Sequence, residues 1–185
     1  MGESTIFNEM LTADGKPRAP YRRLAEWFDT LSPAEMRKKS REAETIFRRL
    51  GITFAVYGTS EATERLIPFD IVPRVLSASE WRRLSAGIDQ RVRALNAFLY
   101  DIYHRQEIVR AGRVPAELIL QNEAFLPEMI GFTPARRVYA HIIGTDLVRV
   151  GEDDFYVLED NTRTPSGVSY MLENRETMMT TFPEL

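Results

Sequence analysis

Carboxylate and amide side chains cluster directly after an apolar segment near the end of the chain. The segment Tyr156–Leu158 is followed by Glu159, Asp160 and Asn161. Side chains alternate between the two faces of an extended strand, so Glu159 and Asn161 are expected on one face and Asp160 on the other. Mg²⁺ accepts carboxylate and amide oxygens as ligands, and water and phosphate oxygens complete its shell. The spacing therefore predicts a magnesium site for phosphoryl chemistry.

A third candidate ligand lies in the segment before this strand. Residues Val138–Val150 read as two short strands interrupted near Gly144, and the polar turn Gly151–Asp154 then leads into the strand from Phe155 to Leu158. Two strands joined by a tight turn pair antiparallel, so the hairpin can bring Asp146 to the end of the strand that carries the other two ligands. Asp146 also fits a simple turn residue, because its side chain can bond nearby backbone amides.

Helices and strands must hold this hairpin in place. Apolar spacing and capping residues predict helices over Tyr21–Leu31, from Ser32-Pro33-Ala34-Glu35 to Gly51, and from Ser77 towards Gly112 and Pro115. Strands are expected at Ile52–Tyr57 and Glu117–Leu120, an extended crossover at Leu66–Leu76 and a helical turn at Glu123–Met129. These elements predict an α/β fold with a mixed sheet and a helical N-terminal section.

Composition excludes several classes of protein. The 185 residues contain no cysteine, so disulfides and thiol chemistry are excluded, and two separated histidines disfavour a zinc site. A net charge of −3 gives no basic excess for nucleic acid. There is no apolar run of the ~20 residues that span a bilayer, and the N-terminus has no signal pattern. We therefore expect a cytoplasmic protein without nucleic-acid or membrane partners.

The run Leu158-Glu159-Asp160-Asn161-Thr162-Arg163-Thr164-Pro165-Ser166 resembles the E-x-N-x-x-T-P-S signature of circularly permuted ATP-grasp proteins, the group that includes glutathionylspermidine synthetase. The rest of the sequence resembles the bacterial type 2 branch of that group. Segments similar to that branch are Gly51–Phe54, Gln90–Tyr103 and Pro165–Arg175. The resemblance extends from about Pro20 to the end of the chain.

The resemblance implies an ATP- and Mg²⁺-dependent ligase that activates a small carboxylate or peptide substrate as an acyl phosphate, which an amine acceptor then attacks. It implies a site whose residues have three roles. Asp146, Glu159 and Asn161 would be metal ligands, Thr164 and Ser166 would face substrate, and Arg163 and Arg175 would supply catalytic charge. An arginine offers a permanently charged fork that suits carboxylate or phosphate.

The resemblance also implies a division of the chain. We expect residues 1–19 to form an irregular arm, and residues 20–185 to be the N-terminal part of a circularly permuted ATP-grasp-like domain. A second lobe, or a partner chain that supplies it, would be missing, so this piece alone is not expected to turn over ATP.

Two other function classes stay open. A non-catalytic nucleotide- or peptide-binding module could keep the fold without the chemistry. Clustered carboxylates also occur in metal-dependent phosphoester hydrolases.

Overall fold

A computed structural model describes residues 6–56, 63–165 and 167–184 of the chain. Its helices are α1 (Arg22–Phe28), α2 (Pro33–Leu50), α3 (Ala78–Ile102), α4 (Glu107–Arg110), α5 (Ala116–Leu120) and α6 (Gly167–Thr181). Its strands are β1 (Thr53–Val56), β2 (Thr63–Leu66), β3 (Gly144–Arg149) and β4 (Phe155–Asn161). The described strands pair as β1 with β2 and as β3 with β4. The predicted α/β class is confirmed, with helices predominating.

The chain folds as two compact units. The first contains the described residues up to Ser77, the segment Arg149–Phe155 and the described residues after Pro165. The second contains Ala78–Val148 and Tyr156–Pro165. The hairpin of β3 and β4 therefore has its tip in the first unit and most of its length in the second.

Helix α2 begins and ends where the sequence predicts. The Glu35 backbone N–H donates to the Ser32 hydroxyl at 3.2 Å, and the Ser32 backbone N–H donates to the Glu35 carboxylate at 2.7 Å. Gly51 ends the helix in the left-handed conformation, with φ 65°, which a glycine adopts without steric cost. Both ends are thus specified by local chemistry.

The capping hydroxyl gives a first prediction. We expect Ser32→Ala to lower the free energy of unfolding by about 1 kcal/mol, because an orphan amide of the first turn loses its acceptor. Ser40→Ala, in the middle of the same helix, is the matched control and should change it by less than about 0.5 kcal/mol. Urea titration followed by circular dichroism measures both. Equal effects of the two substitutions would contradict the capping role.

The core of the first unit lies around α2 and α6. Ala43, Ile71 and Phe182 are buried there, and the Trp27 ring meets the Phe182 ring edge-on at a centroid distance of 5.0 Å. The Lys39 ammonium donates to the Thr181 carbonyl at 2.6 Å, which satisfies a carbonyl at the end of α6. These contacts pack α6 against α2.

The core of the second unit lies beside the end of α3. Ile102, Tyr103 and Ile119 are buried, and the Tyr103 ring stacks on Phe125 at a centroid distance of 5.0 Å. The Tyr103 carbonyl also accepts the Gly131 backbone N–H at 2.8 Å. The end of helix α3 thus packs against the segments that follow it in this unit.

Several predicted elements are wrong. Residues 117–120 are helical in α5 and not a strand, and Val138–Ile143 contains no strand. Helix α3 ends at Ile102 and not near Gly112, because the Asp101 carboxylate accepts the backbone N–H groups of Glu107 and Ile108, at 2.8 and 2.9 Å, and so starts α4. The predicted helical turn at Glu123–Met129 is confined to a 3₁₀ turn at Pro127–Met129.

The remaining elements lie close to their predicted positions. The first helix is shorter than predicted and ends at Phe28, and the extended crossover after Leu66 contains no helix or strand. The strand predicted at Ile52–Tyr57 is β1, although Tyr57 lies outside the described residues. Its antiparallel partner β2, with Thr53 opposite Leu66, is a strand that the sequence did not reveal.

Candidate metal centre

The predicted ligands lie on the hairpin of β3 and β4. The Thr145 hydroxyl donates to the Asp160 carboxylate at 2.9 Å, so these two residues share one face. A Cβ built on Gly144 would lie 3.6 Å from the Asn161 Cβ, so residues 144 and 161 share the other face. Alternation along both strands then places Asp146 on the same face as Glu159 and Asn161. The hairpin therefore presents the three predicted metal ligands on one side.

The ligand face is open to solvent. Asp146 and Glu159 are exposed and Asn161 is half-buried. The Asn161 amide nitrogen donates to the Glu159 carboxylate at 3.1 Å, which holds the two side chains together. A cation would require the amide oxygen instead, so the Asn161 amide would turn about its terminal torsion, a rotation that exchanges N and O with little change of shape.

The opposite face anchors the hairpin to α3. The Asp160 side chain is 9% exposed and accepts both from the Thr145 hydroxyl and from the Arg91 guanidinium, the latter at 2.6 Å. The sequence predicted that Asp160 points away from the ligands, but it did not reveal this ion pair. By fixing the residue between Glu159 and Asn161, the anchor determines how both ligands project.

The anchor gives a second prediction. We expect Arg91→Ala to lower the free energy of unfolding by about 1–2 kcal/mol, because the largely buried Asp160 carboxylate loses one of its two hydrogen-bond donors. Arg93→Ala is the matched control: Arg93 lies on the same helix and pairs with the exposed Asp89 at 2.8 Å, an interaction worth about 0.5 kcal/mol or less. Thermal unfolding of the two variants measures the difference. Equal destabilisation would show that Asp160 is not an anchor.

The chain after β4 turns back towards the start of β3. A Cβ on Gly144 would lie 3.1 Å from the Pro165 Cβ, so glycine permits the close approach of this segment. Arg163 and Thr164 lie between the end of β4 and Pro165, and both are exposed to solvent. The predicted substrate and catalytic residues Thr164 and Arg163 therefore follow the ligand strand directly.

The two remaining predicted residues have different positions. Ser166 lies outside the described residues. Arg175 lies in α6, belongs to the first unit and is exposed. Helix α6 begins at Gly167, so Arg175 lies in the middle of this helix.

The donor set fits a hard divalent cation. Two carboxylates and one amide oxygen are the chemistry that Mg²⁺ accepts when water and substrate phosphates complete its shell. In the described part of the chain, no group of three or more His, Asp or Glu side chains is placed to hold a metal ion. Any site at the hairpin thus depends on the two carboxylates together with Asn161 and non-protein ligands.

Other polar residues of α3 and its neighbours have structural partners. The His104 imidazole lies 2.8 Å from the Tyr100 carbonyl and 2.9 Å from the Thr133 hydroxyl, and its ring stacks on Tyr100. The Asn96 side-chain oxygen accepts the backbone N–H groups of Tyr139 and Ala140 at 2.7 and 3.1 Å. These residues organise the unit that carries the hairpin. No helix within the described ranges is long and apolar enough to cross a membrane.

Comparison with known proteins defines the class. The model of the family described as circularly permuted ATP-grasp type 2 matches residues 73–185, a region that includes β3, β4 and every candidate site residue. The chain belongs to this family.

Curated relatives match nearly the whole chain. An uncharacterized protein of Synechocystis is 45% identical over 180 residues, which are 97% of this chain and 37% of the relative. An uncharacterized protein of Mycobacterium tuberculosis is 44% identical over 182 residues, 97% of this chain and 32% of the relative. A Frankia alni protein provisionally named glutamate–cysteine ligase 2-3 is 40% identical over 182 residues, 97% of this chain and 20% of the relative. The chain thus spans about a third of the length of the first two relatives and a fifth of the third.

Proposed function

We propose that the protein is an ATP- and Mg²⁺-dependent ligase that joins a carboxylate to an amine. The observation that carries the proposal is the common face of Asp146, Glu159 and Asn161 on the hairpin, opposite an anchored Asp160. Membership of the ATP-grasp family supports the use of ATP. The name of the Frankia alni relative supports the ligase class.

The reaction proposed has two steps. A carboxylate oxygen of the acid attacks the γ-phosphorus of ATP and ADP leaves, which gives an acyl phosphate. The amine nitrogen then attacks the carbonyl carbon, inorganic phosphate leaves and the nitrogen loses a proton, which gives the amide. When bound, Mg²⁺ would offset the charge on the phosphate oxygens.

The residues of this chain would bind and orient the reactants. Asp146 and Glu159 would hold the cation through their carboxylates and Asn161 through its amide oxygen. Arg163 and Thr164, which follow on the exposed segment after β4, would contact the phosphate or the acyl group. Corresponding roles for Ser166 and Arg175 remain predictions from the sequence resemblance.

We also propose that this chain supplies only part of the site. The curated relatives extend well beyond the region they share with it, and their additional sequence could provide the second lobe. On this proposal the 185 residues alone do not turn over ATP.

Trapping with hydroxylamine tests the reaction class in the complete protein encoded by the gene. Hydroxylamine replaces the amine and converts an acyl phosphate to a hydroxamate, which is measured together with ADP. Glutamate is the first acid to test, because of the name of the Frankia alni relative, followed by a panel of amino acids and short peptides.

Hydroxamate formed in proportion to ADP, and only when both acid and Mg²⁺ are present, is the result expected of a ligase. Phosphate release from an ester without any acid would instead identify a hydrolase. Nucleotide binding with no product from any acid in the panel would identify a binding module.

A further inference from the structure

A cleft of about 470 Å³ lies along α3 in the second unit, on its side facing residues 136–141. Its polar lining consists of Arg93, Asn96, Tyr100, Arg136, Arg137 and His141. Clefts of a few hundred Å³ suit small organic molecules. None of the metal ligands assigned above lines this cleft, so it is a second candidate binding site in the same unit.

The cleft carries positive charge that the protein does not neutralise. No aspartate or glutamate is among its lining residues. The Arg93 guanidinium is paired with Asp89 at 2.8 Å. By contrast, neither Arg136 nor Arg137 makes an ion pair with any carboxylate in the described ranges, and both are exposed. Two guanidinium groups are therefore available to a ligand from solvent.

The backbone beneath these arginines is unusual. Arg136 and Arg137 have φ of 57° and 59°, in the left-handed region that residues other than glycine seldom adopt. Two consecutive residues in this conformation persist only where the surroundings impose it. Such strain is concentrated at binding and catalytic sites, so it is a second and independent reason to examine this cleft.

Asn96 of α3 holds the segment that directly follows the two arginines. Its side-chain oxygen accepts the backbone N–H groups of Tyr139 and Ala140, and its side-chain nitrogen donates to the Val92 carbonyl at 3.1 Å. The Tyr139 hydroxyl donates to the Phe132 carbonyl at 2.9 Å, and burial raises the pKa of this phenol. The segment that carries the arginines is thus held at both ends.

Arg137 is also oriented by an aromatic ring. Its guanidinium carbon lies 4.4 Å from the centroid of Tyr100. The Tyr100 ring in turn stacks on the His104 ring at 4.2 Å, and Tyr100 and Thr133 fix that imidazole by hydrogen bonds. A guanidinium placed over an aromatic ring can still direct N–H groups to a planar oxyanion.

We propose that this cleft binds an oxyanionic group of a small molecule, a carboxylate or a phosphate, through Arg136 and Arg137. Under the ligase proposed above, a substrate held here carries an anionic group in addition to the carboxylate that is activated. The site does not require ATP, Mg²⁺ or the ligands on the hairpin. Its occupancy can therefore be measured separately from the ligase reaction.

Titration calorimetry of the complete protein in EDTA tests the site with three probes: glutarate, inorganic phosphate and the neutral diamide of glutarate. We expect one of the two anions to bind and the diamide not to bind. Glutarate binding identifies a carboxylate site, and phosphate binding identifies a phosphate site. Arg136→Gln and Arg137→Gln should each weaken that anion roughly tenfold or more, since each removes a charged hydrogen-bond donor.

Two controls separate this site from the rest of the protein. Arg93→Gln removes an arginine of the same cleft whose charge is already paired, so it should change affinity less than about threefold. Glu159→Ala should leave anion binding unchanged even if it abolishes the ligase reaction. Absence of binding for both anions, or equal affinity in the Arg136→Gln/Arg137→Gln double variant, would overturn the proposal.

Discussion

Glu159→Ala is expected to lower Mg²⁺-dependent ATP turnover by the complete protein by about a hundredfold or more, since loss of a metal ligand exceeds the 10–100-fold cost of losing the groups that support one. The Glu159 carboxylate is exposed on the ligand face and bonded within the protein to Asn161, and it lies on the same face as Asp146. Steady-state release of ADP at saturating Mg²⁺ measures the effect.

The matched control for this variant is Glu123→Ala. Glu123 is an exposed glutamate of the same unit, has no hydrogen bond or ion pair in the described ranges, and should leave turnover within about twofold of the starting protein. Asp146→Asn should resemble Glu159→Ala, because it removes the second carboxylate from the same face. Full turnover in both ligand variants, with Mg²⁺ still required, would place the metal elsewhere.

Phe47→Ala is expected to lower the free energy of unfolding of the first unit by about 3–5 kcal/mol, the cost of removing a phenyl ring from a closed core. Phe47 is 1% exposed and its ring lies 4.7 Å from the Phe69 ring, which packs against the buried cluster of α2 and α6. Urea unfolding followed by circular dichroism measures the loss.

Leu50→Ala is the control for this core prediction. Leu50 is three residues further along α2 but is 55% exposed, so its truncation should cost less than about 0.5 kcal/mol. A small effect of Phe47→Ala, comparable with that of Leu50→Ala, would contradict the packing described for the first unit.

Elements with local signals were predictable. Helix α2 begins with a capping hydroxyl, a proline and a capping glutamate, and it ends at a glycine. Each signal lies next to the helix end that it specifies. The alternation at residues 159–161 is likewise a property of the strand itself, and the structure places Asp160 opposite its neighbours. In both cases adjacent residues determine the geometry.

Elements that depend on distant partners were not predictable. Residues 117–120 are apolar enough for a strand, but short apolar runs do not distinguish helix from strand, and this run folds as α5. Strand β2 is defined by its pairing with β1, and no local sequence pattern predicts this pairing. The pair between Arg91 and Asp160 likewise joins residues far apart in the chain.

The cleft beside α3 was not predictable from the sequence for a related reason. Arg136 and Arg137 are ordinary surface residues by type. Their backbone is left-handed, and the residues that follow them, Tyr139 and Ala140, are held by hydrogen bonds to the distant Asn96. By residue type alone, Asn96 is typical of the polar face of a helix. Nothing in the local composition separates such a residue from one that holds a loop in place.

Calorimetric titration of ATP into the complete protein, with and without Mg²⁺, tests the central claim most directly. The proposed site predicts that Mg²⁺ strengthens ATP binding and that Glu159→Ala abolishes this Mg²⁺ effect, while Glu123→Ala preserves it. ATP binding that is equal with and without Mg²⁺, or unchanged in Glu159→Ala, would contradict a metal centre on the hairpin of β3 and β4.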